Sequence, residues 1–405
     1  MARNVAEWRR EWMRVAYVHW AFTDVDPIGE GIITYEFAQA LSRFIDIEVY
    51  YQRGRIFQLD APRVKMHRFR WYERKYSLPF NLYTLTKVIF SKPIHIIHQF
   101  QYTKNLLTLS TFLDISYIVS GFLPYKFYKK IHGIDKNILG TNLEKVESKK
   151  LGIIDGILAR LEYRLNKYIL SDEFFLSRVD YFIAHHNDMM KWLIMNGCNK
   201  DKVTVIYPPV NTDKFKPAES EPKNNRVLFV GRLDRHKGFH LLCDILPELV
   251  KEVPDLEVTI CGDGPLRSHL FDNILKKRPD LRRYVRHLGM VDRAFLPTIY
   301  KEARLVCNPT YYESFGMVNL EAMSCGVPVV STRTGAIPEI VKEDCGILVE
   351  PGDRFALKEA IIKVLLDERL WWKLSNNCRR HVLNNFSYEV VAPKILKIYD
   401  KVCRV

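Results

Sequence analysis

Two carboxylates eight positions apart, Glu313 and Glu321, frame the stretch NPTYYESFGMVNLEAMSCGVP that runs from Asn308 to Pro328. Between them Phe315, Gly316 and Met317 open a segment whose apolar positions Met317, Leu320 and Met323 recur at helical spacing, and Cys325, Gly326 and Pro328 stop it. A helix that begins at a glycine presents backbone amides without intrahelical partners and the positive end of its dipole, which together suit a phosphate or another anion. If Phe315 opens the helix, Glu321 lies ~9 Å along the axis from it, about the reach from a diphosphate to a ribose. Glu313 then falls on the far side of the phosphates, where a sugar could be.

A second anion-binding pattern precedes the first. The run GRLDRHKGF carries Gly231, Arg232, Lys237 and Gly238 out of an expected strand, Arg226 to Leu233, and into a helix. Arginine can fork onto phosphate oxygens and lysine adds a point charge, so two cations in a glycine-bracketed loop make an anion site. Weaker signals lie in the first half. Gly29 and Gly31, in the loop DVDPIGEGIITYEF, would let a ligand approach the backbone closely. Asp24 and Asp26 in the same loop have the D-x-D spacing of metal-dependent sites, but as an ordinary loop pair they read as solvated. His185 and His186 end an expected strand, where α/β sheets place ligands; adjacent side chains diverge, so a metal pair is not expected.

The elements that must position these residues alternate. Strands are expected at Val15 to Trp20, Ile47 to Tyr51, Val64 to Phe69, Ile94 to His98, Ile115 to Val119 and Val179 to Ala184, with helical or loop segments between, including a long helical pattern from Lys149 to Arg178. A short strand, Lys202 to Tyr207, leads to Pro208, Pro209 and the polar run Asn211 to Asn225, the clearest linker composition in the chain. After it strands recur at Arg226 to Leu233, Leu256 to Cys261, Val285 to Leu288 and Ala303 to Cys307, the second of them followed by the turn Gly262, Asp263, Gly264, Pro265. The expectation is an α/β protein of two parallel-sheet domains.

Composition bounds the function. The 405 residues suffice for two domains, and 47% hydrophobic with 27% charged residues is the balance of a globular protein. Sixty-one Lys and Arg against 47 Asp and Glu leave a formal charge of +14, which points to anionic partners: phosphates, an acidic membrane surface or nucleic acid. All eight cysteines lie from Cys198 onward without a C-x-x-C, and read as thiols of a reducing compartment. The start MARNVAEWRREWMR has no apolar core of a secretory signal, so a cytoplasmic protein is expected. Val5, Trp8 and Trp12 at helical spacing beside Arg3, Arg9 and Arg10 fit either an anchor at a lipid interface or a helix packed on its own domain. The aromatic and basic stretches Trp71 to Tyr83 and Tyr125 to Lys130 are candidate surfaces for an acceptor or an acidic lipid. Asn105 to Pro124 is apolar but interrupted by Asp114, and reads as buried helix and strand, not as a membrane span.

Five features in order, the glycine loop at 29 to 31, GRLDRHKG, CGDGPLR, HLGMV and ESFGMVNLEAMSCGVPVV, resemble the retaining glycosyltransferases of family 4, the glycosyl transferases group 1. The resemblance implies the GT-B fold: two Rossmann-like domains facing a cleft, 1–207 on the acceptor side and 208–385 binding the nucleotide sugar, with residues 386–405 crossing back as a last helix, Phe386 to Val402. It implies that Arg232 and Lys237 neutralise a donor diphosphate, that Glu313 binds sugar hydroxyls, and that Glu321 accepts hydrogen bonds from the ribose. Phe315, Gly316, Met317 and Gly262 would contact the donor, and Gly31 would close the site from the opposite domain. The implied reaction moves a hexose from a nucleotide sugar to a hydroxyl acceptor, lipid-linked or a growing glycan, without metal, cofactor or covalent nucleophile. One departure stands out: many members of the family carry a histidine after a strand of the first domain that here, Ile115 to Val119, ends in Ser120 and Gly121, leaving His98 or His186 as candidates for its place. A nucleotide-sugar epimerase of the same fold is an alternative, as is a non-catalytic basic protein that binds membrane or nucleic acid; the second leaves the glycine loops and the framed helix unexplained.

Overall fold

The computed structural model describes residues 13–21, 29–53, 63–68, 94–100, 116–121, 176–219 and 224–403. The expected segments at the N-terminus, Asp24 and Asp26, Trp71 to Tyr83, Tyr125 to Lys130 and nearly all of Lys149 to Arg178 lie outside these residues. The chain forms two compact units, one holding the described residues up to Pro209 together with those from Tyr388 on, the other running Val210–Ser387.

Among the described residues the first unit is a seven-stranded sheet. Its strands are β1 (Arg14–Ala21), β2 (Asp46–Arg53), β3 (Val64–Arg68), β4 (Ile96–Phe100), β5 (Ser116–Gly121), β6 (Tyr181–Ala184) and β7 (Val203–Val205). They lie in the order β3-β2-β1-β4-β5-β6-β7, every pair parallel. Parallel strands need crossovers; helix α1 (Gly29–Leu41) is the first described, and α2 (Asn187–Met195) joins β6 towards β7. Apolar side chains such as Val15, Tyr17, Ile47, Val49, Ile96 and Ile183 are buried, as a sheet covered on both faces requires. Register moves one expected strand: β1 pairs Val15 with Ile96, so β4 begins at Ile96 and continues through Phe100.

The second unit repeats the plan with six strands: β8 (Asn225–Val230), β9 (Leu256–Cys261), β10 (Val285–Gly289), β11 (Leu305–Asn308), β12 (Val329–Thr332) and β13 (Gly346–Val349), in the order β10-β9-β8-β11-β12-β13, again all parallel. Between and after them run α3 (Phe239–Glu252), α4 (Leu296–Glu302), α5 (Met317–Ser324), α6 (Ile337–Ile340), α7 (Arg354–Leu366) and α8 (Glu368–Phe386). Residues Leu305 to Asn308 of β11 and Val329 to Thr332 of β12 are buried at every position, which marks the centre of the sheet. Among the described residues no helix is long and apolar enough to cross a membrane.

The last helix is corrected at its start. Ser387, buried and extended at φ −68° and ψ 159°, breaks the expected single run, so Phe386 closes α8 and α9 spans Tyr388–Val402. Helix α9 belongs to the first unit. Its Tyr399 hydroxyl meets that of Tyr17 at 3.0 Å and His98 Nδ1 at 2.5 Å, the Tyr388 hydroxyl donates to Glu36 at 2.6 Å, and Lys401 Nζ donates to the Asp201 carbonyl at 3.1 Å.

Burial holds two histidines of this unit neutral. It pushes His98 well below its ordinary value, helped by His185, and takes His185 down to about 3, helped by His186. The unfolded chain protonates both below about pH 6.5 while the folded chain does not, so their contribution to stability is complete above that pH and is lost as pH falls towards the folded values. Urea unfolding at pH 7.5, 6.5 and 5.5 should therefore show stability falling on acidification, by up to about 1.4 kcal/mol per pH unit for each histidine. His98→Gln should flatten that slope by about one proton's worth.

Candidate active site

In a doubly wound sheet, ligands bind outside the carboxyl ends of the strands, where the strand order reverses. In the second unit that point lies between β8 and β11, which pair directly, Leu305 with Val227 and Val306 with Leu228. The loop leaving β8 carries Arg232 and Lys237; the loop leaving β11 carries Glu313.

The loops are seated backbone on backbone. Gly238, at φ +67°, ends the first loop against the second: a Cβ there would lie 1.8 Å from the Pro309 carbonyl oxygen. Tyr311 N and Thr310 Oγ1 both donate to the His236 carbonyl, at 2.9 and 3.0 Å. At Gly262, after β9, a Cβ would lie 1.9 Å from the Gly231 carbonyl oxygen, and Leu233 N donates to the Asp263 carbonyl at 3.0 Å. Within the β8 loop Asp234 is buried, accepts from Lys237 N at 2.8 Å, and takes the Arg232 guanidinium on its other oxygen. Burial, then the nearby Lys237, lowers His236 to about 4, so its imidazole is neutral at physiological pH.

This seating brings the two motifs together. Lys237 Nζ donates to Glu313 Oε2 at 2.5 Å across 76 positions of sequence, with both side chains only partly exposed. The chain beyond Glu313 is fixed in the same way, since a Cβ on Gly335 would sit 1.8 Å from the Glu313 carbonyl oxygen. Gly316, at φ +97°, then begins α5 with no side-chain cap, leaving first-turn amides for a ligand. Phe315 and Met317 are buried on either side. Arg232 remains 61% exposed, and an ion pair that open to water is worth little, so a phosphate competes for it readily.

Glu321, which the resemblance assigns to the ribose, already has partners within the protein. It is 3% exposed; Oε1 accepts from Arg293 Nε and Nη2 at 3.1 and 2.7 Å, and Oε2 from the Tyr300 hydroxyl at 3.0 Å. Tyr300 is itself fully buried and held protonated well beyond its ordinary range by burial and by Glu321. Sequence reasoning missed Arg293, Tyr300, Asp234 and His236. Asp234 had a signal, a carboxylate three residues before Lys237 within the same loop. Arg293 follows β10 and had none, because nothing in the chain marks a partner 28 positions away.

In the first unit, Gly31 lies buried in the first turn of α1. The histidines His98 and His186 make contacts within the first unit. His98 is a core residue bonded to Tyr399, and His186 caps α2 by accepting from Met189 N at 3.3 Å; both are completely buried. Among the described residues no group of three or more His, Cys, Asp or Glu could hold a metal ion.

Comparison with known proteins bears on the family and the fold. Residues 210–381 match the family model of glycosyl transferases group 1, and residues 29–214 that of Glycosyltransferase Family 4. The chain is 33% identical over 214 residues to an uncharacterized glycosyltransferase of Methanocaldococcus jannaschii, covering 49% of this chain and 54% of that protein. It is 32% identical over 206 residues to one component of the phosphatidylinositol N-acetylglucosaminyltransferase of Homo sapiens, covering 50% and 42%. The chain thus spans about half the length of the curated relatives it matches. In fold it is similar to the sucrose-phosphate synthase of Thermosynechococcus elongatus, with TM-score 0.70 and 19% identity over 96% of this chain and 98% of that one. It is similar also to Anabaena HepE, solved with UDP and glucose, with TM-score 0.67 and 17% identity over 96% and 99%. Both likenesses identify the architecture as GT-B.

Two glycines separate the cost of conformation from the cost of contact. Gly289 and Gly238 share a left-handed backbone, but a Cβ on Gly289 meets nothing within 4 Å whereas one on Gly238 meets the Pro309 carbonyl. Gly289→Ala should cost about 1–2 kcal/mol, and Gly238→Ala clearly more, measured by urea unfolding of the two variants side by side.

Proposed function

Since this chain belongs to the glycosyl transferases group 1, we propose that it moves a hexose from a nucleoside diphosphate sugar to a hydroxyl acceptor, with retention at the anomeric carbon. The observation that carries the reading is the meeting of Lys237 and Glu313 at the switch point, beside Arg232 and the uncapped start of α5. Breaking a glycosyl phosphate bond develops negative charge on the leaving diphosphate. Fixed cations and a helix N-terminus answer that charge where it appears.

In this mechanism Lys237 and Arg232 turn from their carboxylates to the diphosphate, and the amides of Phe315, Gly316 and Met317 hold phosphate and sugar. Glu313, released from Lys237, accepts hydrogen bonds from sugar hydroxyls near the reacting carbon. The loops at Gly231 and Gly262 bring backbone close enough for the nucleotide to lie against it. Glu321 receives the ribose. The acceptor hydroxyl attacks the face that the diphosphate leaves, and the leaving phosphate oxygen takes its proton, so that no covalent enzyme intermediate forms. We assign no metal to this chemistry, because the two cations and the helix supply the charge. Uridine is the base to test first, since HepE was solved with UDP. For the acceptor, the human relative named for phosphatidylinositol and the excess of positive charge favour a lipid-linked hydroxyl met at an anionic membrane surface.

Calorimetry with UDP, GDP and ADP in EDTA tests the donor site. One nucleotide should bind at micromolar strength, about −8 kcal/mol, and lose at least tenfold in Arg232→Ala and in Lys237→Ala. With the matching nucleotide sugar, Lys237→Ala should lower kcat by about 10²–10³. NMR of the product should show the donor's anomeric configuration, and transfer should require the acceptor. Tight binding that survives both substitutions, or turnover of the sugar without an acceptor, would overturn the assignment, the second in favour of an epimerase.

A further inference from the structure

Glu321 has less to offer a ligand than a free carboxylate. A carboxylate presents roughly four lone-pair positions. Arg293 takes two on Oε1 through Nε and Nη2, at 3.1 and 2.7 Å, and Tyr300 takes one on Oε2 at 3.0 Å. One position, on Oε2, is left.

The arrangement is fixed from behind. The Arg293 guanidinium lies over the Phe215 ring, 5.3 Å from its centroid, and the Tyr300 ring meets the same phenyl edge-on at 6.0 Å. Phe215 is held in turn, its carbonyl accepting from Ser324 Oγ at 2.6 Å and from Arg379 Nη1 at 2.9 Å. The side chains of Arg293 and Glu321 are 3% and 4% exposed, so neither can exchange its partner for water without leaving a buried charge behind.

Resting on the donor-site reading above, we infer that Arg293 and Tyr300 are positioning residues that restrict Glu321 to a single ribose hydroxyl, making the site sensitive to loss of one of the 2′ and 3′ hydroxyls and indifferent to loss of the other. Neither residue touches the reacting atoms. Their effect is on which nucleotides are held, so it shows in affinity and in KM, with kcat little changed.

The experiment is calorimetric binding of UDP, 2′-deoxy-UDP and 3′-deoxy-UDP to the full chain, with the GDP and ADP series beside it in case the base differs. In the wild type one deoxy analogue should bind about tenfold more weakly than the parent nucleotide, and the other within twofold of it. Tyr300→Phe reopens the second position on Oε2 and should extend the loss to both analogues while keeping affinity for the parent. Arg293→Met should weaken the parent nucleotide at least tenfold and remove the discrimination, and Arg293→Lys should restore part of both; thermal melts establish that each variant is folded. Equal losses with both analogues in the wild type, no loss with either, or a Tyr300→Phe pattern identical to wild type would each overturn the inference while leaving the donor site standing. If no parent nucleotide binds at all, the donor-site reading fails and the inference falls with it.

Discussion

The second unit depends on one steric constraint: backbone must lie against backbone where the strand-end loops meet. Gly262 over Gly231, Gly238 over Pro309 and Gly335 over Glu313 each place a carbonyl oxygen inside the volume that a Cβ would occupy. Side chains on those three glycines would hold the loops apart by an atom's width or more. Because they are absent, an amine on one loop and a carboxylate on another come to 2.5 Å, and the start of a helix follows three residues later. The site is an outcome of close packing between loops before it is an outcome of charge.

Charge then decides how the site rests. Both diphosphate-binding candidates are already paired, Lys237 with Glu313 and Arg232 with Asp234, so the two cations do not face each other bare. A ligand bearing two negative charges does not meet an open positive field; it displaces carboxylates. The differing exposure of the pairs gives this an order. Arg232 stands in water and exchanges partners cheaply, whereas Lys237 and Glu313 are shielded and exchange only for something that satisfies both. Glu321 lies at the other extreme, buried with its partners and unable to change them.

Much of this could be seen in the chain alone because the residues involved sit in local patterns. The glycine-bracketed cations of GRLDRHKG, the uncapped helix after Glu313 and the alternation of strands are short-range signals, and the family models and GT-B neighbours agree with the last of these. What could not be seen is long-range. That Glu321 is spoken for by Arg293 and Tyr300, that His98 is a core residue bonded across 301 positions to Tyr399, and that Lys237 touches Glu313 are facts of packing, which periodicity does not carry. The break at Ser387 was hidden for another reason: Phe386 and Tyr388 are both buried and apolar, so the hydrophobic pattern runs straight through a residue whose backbone does not.

That break separates a helix of the second unit from one that completes the first. Tyr17 on β1 and Tyr399 on α9 share a hydrogen bond although 382 positions apart. On the ribosome, at roughly 5–20 residues per second, about 20–80 s pass between the making of the first residue and the making of the second. By the end of that interval the strands β1 to β7 have been made, and so have all the described strands of the second unit, the last of them ending at Val349, while the first unit still lacks the helix that bonds Tyr17 and His98. The half of the protein that is synthesised first is thus the half that finishes folding last, and it is the one that must be shielded from its neighbours until translation reaches α9.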